Sequence, residues 1–323
     1  MFIITGGAGF IGSVLAWKLN QEGITDIMIV DNLSTSTKWK NLPGRRYEDY
    51  IHRDAFLEMI NQNKLPSDIQ AIFHMGACSS TTEADADYLM RNNYQYSKTL
   101  AEYAIRKRIR FIYASSAATF GDGTRGFQDD ETALDQLLPM NMYGYSKHLF
   151  DVYARRKDWF SEIAGLKFFN VFGPNEYHKG EMASVVYKSW LQILETGRVK
   201  LFKSNHPDYR DGEQLRDFIY VKDVVDVMWW LYQNPRVNGL FNLGTGTPRT
   251  WKDLVSGVFH AMNQPVKIEF IDMPPSLRKS YQNFTVAPMQ KLAATGCPVA
   301  FQPLESAVHD YVTNYLMTPY PNL

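Results

Sequence analysis

In the stretch PMNMYGYSKHLF (139–150) a phenol and an ammonium stand one helical turn apart. Residues four apart share a helix face and residues two apart do not, so Tyr143, rather than Tyr145, is the partner of Lys147. An ammonium beside a phenol favours the phenolate and lowers a pKa that is ordinarily about 10. A phenol tuned in this way can exchange a proton with a sugar hydroxyl near neutral pH. Tyr143 and Lys147 therefore form the candidate catalytic pair, and Tyr145 is read as structural. Upstream, YASSAATFG (113–121) places Ser116 at the end of an apolar run, where it can donate a hydrogen bond to the same substrate oxygen. Ser115, expected to be satisfied by backbone, and Thr119 are the neighbouring alternatives. Alone, a Tyr-x-x-x-Lys pair is more often an aromatic packed on an aliphatic stem. It gains meaning beside a hydride partner.

TGGAGFIG (5–12) supplies a place for one. Gly6 permits a tight turn, Gly9 lets the backbone approach a pyrophosphate, and Gly12 lets helix and strand pack closely. The helix that follows offers its free N–H groups to the anion. Asp31 ends the next apolar run, the position from which a carboxylate reaches a ribose. These features together point to a bound dinucleotide. Asp31 accepts from ribose hydroxyls, which marks NAD, and repels a 2′-phosphate. Lys38 and Arg53, folded over the same ribose, would neutralise that phosphate and mark NADP. The residues leave both readings open.

The elements that must position these groups follow a rhythm. FIIT (2–5), DIMIVD (26–31), AIFHMG (71–76), RFIYASS (110–116), GLKFFN (165–170) and GLFNLG (239–244) read as buried parallel strands. Helical patterns occupy 10–22, 83–107 and 141–160. The alternation predicts an α/β fold, a Rossmann-type doubly wound parallel sheet. After residue 170 prolines and polar loops increase, and a smaller, interleaved α/β substrate domain is expected. Its expected extent is about 171–216 plus 247–323; the dinucleotide-binding domain takes 1–170 plus about 217–246. DFIYVKDVVDVMWWLY is read as a strand and helix returning to the main sheet.

Bulk composition narrows the function classes. Over 323 residues, 34 Lys+Arg balance 34 Asp+Glu, which argues against a nucleic-acid groove. The clusters Arg106-Lys107-Arg108 and Arg155-Arg156-Lys157 end helical patterns and complement helix dipoles. Cys78 and Cys297 are the only cysteines; they make no disulfide framework, and no C-x-x-C pair suggests a metal. A strand begins at the second residue, without a basic leader, and no apolar run of 18 residues occurs. A soluble cytoplasmic protein without membrane or nucleic-acid partner is expected.

TGGAGFIG, Ser116 and Tyr143-x-x-x-Lys147 together resemble the extended short-chain dehydrogenase/reductase family, and NVFGP (170–174) and RDFIYVKDV (216–224) extend the likeness. That family includes epimerases, dehydratases and reductases of nucleotide sugars. Its 4,6-dehydratases place Asp-Glu directly after the catalytic hydroxyl residue. Here Ala117-Ala118 follow Ser116, and neither can move a proton. FHMGACSSTT (73–82), NNYQYSK (92–98), NMYGYSK (141–147), HKGEMASV (178–185), LFKSN (201–205) and YQNFT (281–285) resemble the family's epimerases more narrowly. The narrower resemblance implies inversion at carbon 6 of an ADP-linked heptose through a transient 6-ketone, serving lipopolysaccharide core synthesis. It implies NADP as cofactor and a homo-oligomer, a pentamer being the implied form. The competing readings are another nucleotide-sugar epimerase or reductase, such as a UDP-hexose 4-epimerase, and a non-catalytic dinucleotide sensor.

The same resemblance implies site residues. A ketone that turns over points its oxygen elsewhere, so a second acid/base is useful; Lys179 is at the position this family uses for it, and His178 is read as loop structure. Cofactor contacts are implied at Phe10, Ile11, Asp31, Asn32, Lys38, Arg53, Met75, Gly76, Ala77, Cys78, Ser79, Asn92, Lys147 and Val171. Substrate contacts are implied at Ser116, Asn170, Glu181, Lys188, Phe202, Lys203, Ser204, Asn205, Arg216 and Tyr281, with the Arg216 guanidinium suited to a diphosphate. Met75, Glu181 and Lys188 depart from the family pattern, and the loop between Asn205 and Arg216 is longer. Cys78 has no evident partner base and is read as packing.

Overall fold

Apolar runs of four to seven residues with no polar alternation must be covered on both faces, which is the condition for a parallel sheet. The computed structural model, which describes residues 1–278 and 281–323, meets it. Strands β1 (Phe2–Thr5), β2 (Ile27–Asp31), β3 (Asp49–His52), β4 (Ala71–His74), β5 (Arg110–Ser116), β6 (Ala164–Phe168) and a later strand at Gly239–Leu243 form one parallel sheet. β1 lies between β2 and β4, with Phe2 opposite both Ile27 and Ala71. The strand order therefore reverses at β1, and a crevice opens beyond the carboxyl ends of β1 and β4.

The pleat sends alternate residues to opposite cores. Ile4 and Ile29 join α1 (Phe10–Gln21) in one apolar cluster, whereas Ile3 and Val30 join α2 (Arg53–Asn61) in the other. Edge strand β3 and α2 escape a sequence reading, because EDYIH is polar and no residue of the strand is fully buried. The helical pattern at 83–107 resolves into α3 (Ala86–Leu89), a π turn at Met90–Gln95 and α4 (Tyr96–Lys107). Helix α5 (Met142–Arg156) carries the Tyr-Lys pair.

The run at 165–170 breaks at Phe169. β7 (Asn170–Phe172) leaves the main sheet, and α6 (Val185–Thr196), β8 (Val199–Phe202) and β9 (Leu215–Arg216) follow. One expectation is corrected here. The strand of DFIYVKDVVDVMWWLY, β10 (Phe218–Tyr220), pairs in parallel with β7 outside the main sheet. What returns is α7 (Val221–Gln233), packed with α1, and then β11 (Gly239–Leu243), which pairs with β6. Three residues of β10 are too few to cross the sheet, and β7 offers a free edge beside it. β12 (Arg249–Thr250) pairs with β9, α8 (Trp251–Ala261) follows, and β13 (Ile268–Ile271) pairs with β8.

Candidate active site

The glycine loop shows why glycine stands at each position. Gly6 adopts φ 67°, and a Cβ there would sit 2.6 Å from the Gly76 Cα. A Cβ on Gly12 would strike the Gly6 carbonyl oxygen. Gly9 begins α1 in extended backbone with no side-chain cap, leaving first-turn amides for an anion. Gly6, Gly9, Phe10, Ile11 and Gly12 line a cavity of about 670 Å³, joined by Asp31 and Lys38 at one end. The buried Asp31 carboxylate accepts from the Ala8 N–H (2.9 Å), the Asn32 N–H (2.7 Å) and the Lys38 ammonium (2.6 Å). Met75, Gly76, Ala77 and Ser79 form the opposite lip. The residues present thus fit a dinucleotide: a cradle too tight for side chains, unpaired helix amides and a ribose-level carboxylate.

Beyond the cradle stand the proton-transfer groups. Ser116 ends β5, and its Oγ accepts from the Ala118 N–H at 3.1 Å. Helix α5 starts beside it because Asn141 caps the Gly144 N–H (2.8 Å). Gly144 has no side chain to strike the Ala118 carbonyl oxygen, which a Cβ would approach to 2.6 Å. Tyr143 therefore reaches Ser116, and both line the cavity with Lys147. Burial pushes the Tyr143 phenol up, and a hydrogen bond from Ser116 works the other way. The expected lowering by Lys147 is corrected. The Lys147 ammonium is itself buried and donates to the Ala114 carbonyl at 2.8 Å, so desolvation of the phenol dominates. Burial also holds the Lys147 pKa down to about 8, against the pull of Asp151 one turn on.

Two further expectations change. Ser115 is satisfied by a side chain and not by backbone: its Oγ donates to Asp151 Oδ2 at 2.7 Å. Thr119 is fully buried, donates to the Ser116 carbonyl (2.8 Å) and does not line the cavity.

Lys179 arrives from another direction. It sits on the turn Tyr177–Met182, where Gly180 takes φ 52°, and its ammonium lies 5.4 Å from the Phe10 ring centroid. It lines the same cavity as Tyr143. Burial lowers its pKa and Glu176 opposes that. Glu176 is buried; one oxygen accepts from the Ser184 N–H and the other from the Ser184 hydroxyl, each at 2.6 Å. Ser184 in turn caps α6. His178 beside Lys179 has its pKa pushed down to about 4 by burial, so it stays neutral.

Asn170 and Val171 also line the cavity. Other expected residues lie outside its lining. Arg53 donates to the Asn92 side-chain carbonyl and pairs with Asp54 at 3.3 Å. The Cys78 N–H donates to Asn93 Oδ1 at 2.9 Å. Lys188 pairs with the exposed Glu181 at 3.7 Å, and Lys203 with Asp272 at 3.1 Å. Phe202 ends β8; the Ser204 N–H donates to Asp211 and the Asn205 amide to the Arg278 carbonyl. Arg216 is buried between the rings of Trp251 (5.5 Å) and Tyr281 (5.2 Å) and donates to the Leu215 and Gln282 carbonyls. Among the described residues no carboxylate pairs with it, and burial lowers its pKa. Trp251 lines the cavity and so joins Arg216 to it.

Sequence reading missed Asn93, Asp151, Lys167, Glu176 and Trp251. Asn93 is buried and donates to both Cys78 O and Ser146 Oγ at 3.0 Å, tying the Met75–Ser79 lip to α5. For Asp151 a signal existed: it lies four residues after Lys147 on one helix face.

The comparisons with known proteins agree with this geometry. Residues 2–244 match the NAD dependent epimerase/dehydratase family. The chain is 60% identical over 323 residues, 100% of each chain, to the ADP-L-glycero-D-manno-heptose-6-epimerase of Nitratidesulfovibrio vulgaris (strain Hildenborough). It is 47% identical, over 98% of each chain, to the like-named protein of Fusobacterium nucleatum. Among solved structures it resembles the Helicobacter pylori ADP-L-glycero-D-manno-heptose-6-epimerase with TM-score 0.78 at 28% identity, over 97% of this chain and 95% of that one. The UDP-glucose 4-epimerase of Thermus thermophilus, in complex with NAD, gives TM-score 0.75 at 23% identity, over 96% and 97%, a likeness of fold alone.

Proposed function

The chain belongs to the NAD-dependent epimerase/dehydratase family, and from that premise we propose that it interconverts ADP-D-glycero-D-manno-heptose and ADP-L-glycero-D-manno-heptose by inverting carbon 6 through a transient 6-ketone. The observation that carries this reading is the 60% identity along the full length of a relative so named. A cavity that joins Ser116, Tyr143 and Lys147 to Lys179 supports it. Bound in the glycine cradle, the nicotinamide supplies an acceptor and donor of hydride at the sugar carbon.

The chain's own residues manage the oxygen. Tyr143, as phenolate, takes the proton of the carbon-6 hydroxyl as the ketone forms, and Ser116 donates a hydrogen bond to the same oxygen. The hydrogen bond from Ser116 favours the phenolate against burial, and the Lys147 ammonium holds the cofactor ribose. When the ketone has turned over, its oxygen faces Lys179, whose ammonium returns a proton as the alcohol re-forms. Burial lowers the pKa of Lys179, which makes it the readier donor. Arg216, a buried cation without a carboxylate partner among the described residues, would meet the substrate diphosphate, since a guanidinium suits that group.

The proposal includes NADP in preference to NAD. Asp31 is already engaged by two backbone amides and Lys38, so its repulsion of a 2′-phosphate is offset. Lys38 is the cation that lines the cavity there, while Arg53 lies outside its lining, paired with Asp54. It also includes a division into a cofactor half, 1–170 plus about 217–246, and a substrate half, 171–216 plus 247–323. A cytoplasmic homo-oligomer, a pentamer, serving lipopolysaccharide core synthesis completes it; among the described residues no helix is long and apolar enough to cross a membrane.

The test is to incubate the protein with ADP-D-glycero-D-manno-heptose and follow carbon 6 by NMR. The L-glycero epimer should appear. Unchanged stereochemistry alongside turnover of UDP-galactose would sink the reading.

A further inference from the structure

Outside the cavity, a knot of asparagine side chains ties together the two loops that carry Lys38 and Lys179. Asn41 ends the turn Thr37–Asn41 that bears Lys38, and it is buried. Its amide nitrogen donates to the Ala8 carbonyl in the glycine loop and to the Asn175 carbonyl, both at 3.0 Å. Asn175 is also buried and sits in left-handed backbone at φ 76°, a conformation asparagine tolerates better than most residues. Its amide donates to the Ser13 hydroxyl of α1 at 3.0 Å.

Residues 321–323 close this knot. The Asn322 amide donates to Asn41 Oδ1 at 2.6 Å, and the Leu323 N–H donates to Asn175 Oδ1 at 2.9 Å. Tyr177, two residues before Lys179, donates its hydroxyl to the Pro321 carbonyl at 2.5 Å. The Leu323 side chain is anchored in the apolar cluster that includes Tyr311 and Leu316. Asn41, Asn175 and Asn322 do not line the cavity, so they act through the loops they hold.

We propose that Asn322 is a positioning residue: through Asn41 and Asn175 it fixes the Lys179 turn against the Lys38 turn, coupling the second acid/base to the adenosine end of the cofactor site. The proposal rests on the epimerase reading for the role of Lys179. The coupling itself concerns cofactor binding and can be measured apart from the sugar. Because coupling between sites is reciprocal, NADP, which reaches the Lys38 side, should tighten residues 315–323 that it does not touch.

Two measurements on the full chain test this. In the wild-type protein, hydrogen exchange should slow at the Asn322 and Leu323 amides when NADP is added; unchanged exchange there overturns the coupling. In Asn322→Ala, loss of the side-chain hydrogen bonds to Asn41 Oδ1 (2.6 Å) and Asn175 Oδ1 (3.5 Å) should weaken NADP binding and lower kcat for the heptose epimerisation by roughly fivefold each. The KM for the sugar should stay within about twofold of wild type, because Asn322 touches nothing that holds the sugar. A lower melting temperature with kcat and NADP affinity unchanged overturns the positioning role. NADP-dependent protection without heptose turnover in the wild type faults the epimerase reading and leaves the coupling standing. Turnover without protection faults the coupling alone.

Discussion

Tyr143 and Lys179 line one cavity but stand on unlike supports. Beneath Ser116 and Tyr143 lies a floor of regular structure with a buried polar core centred on Asp151. The Asp151 carboxylate accepts from the Tyr113 hydroxyl (2.7 Å), the Ser115 hydroxyl (2.7 Å) and the Lys167 ammonium (2.9 Å). Lys167 also donates to Thr119 at 2.5 Å, and the Lys167 and Asp151 side chains are wholly buried. Around Lys179 the backbone is irregular, and its shape rests on side chains such as Glu176 that bond to the loop itself. Burying an ion pair contributes little net stability, but a satisfied buried network admits few alternative arrangements. The floor therefore holds its hydroxyl and phenol through regular structure, whereas the wall holds Lys179 through the side-chain bonds of Glu176 and of the asparagine knot.

Substitutions can break this contrast at several strengths. On the floor, Tyr143→Phe should lower turnover by about 10⁴-fold while the protein keeps its NADP, and on the wall Lys179→Met should lower it by about 10²-fold; the two span the usual range for one acid/base group. Single-turnover kinetics on purified variants measure both. Asp151→Ala strands the Lys167 charge and should cost about 3–5 kcal/mol in denaturant unfolding, with most of that regained when Lys167→Met is added. Removing the charge of the wall's counterpart in Glu176→Gln should cost only about 1–2 kcal/mol, because the amide oxygen keeps one of the two Ser184 donors and only the other loses its acceptor. Equal losses at Asp151 and Glu176 would erase the distinction between floor and wall.

A smaller effect follows from pH. The folded pKa of Lys147 is held down to about 8, below the ordinary lysine value of 10.5. Between those values the unfolded chain binds the extra proton, so stability rises with pH across that window. Denaturant midpoints measured from pH 8 to about 10 should climb in the wild type relative to Lys147→Met. A parallel course for the two proteins would mean that the ammonium is not desolvated.

What the sequence disclosed divides along the same line. Apolar runs gave the main-sheet strands because buried parallel strands leave a continuous signature, and i,i+4 spacing chose Tyr143 over Tyr145. β3 stayed hidden because Asp49 and His52 are exposed and only Tyr50 and Ile51 are half-buried, and β10 was misassigned because apolar character does not say which sheet edge a short strand joins. Lys179 and Arg216 carry no local periodic signal; only resemblance to a family pointed to them. Asp151 and Lys167 lie far in sequence from the hydroxyls they serve, so their meeting at Ser115 and Thr119 was not legible before folding.

The account is tested most directly by the fate of the hydrogen on carbon 6. ADP-D-glycero-D-manno-heptose carrying deuterium at that carbon would be incubated with the protein in ordinary water and read by NMR. The account predicts inversion at carbon 6 with the deuterium retained there, because the hydrogen leaves and returns without meeting solvent. Inversion with loss of the deuterium, or no inversion at all, would contradict it.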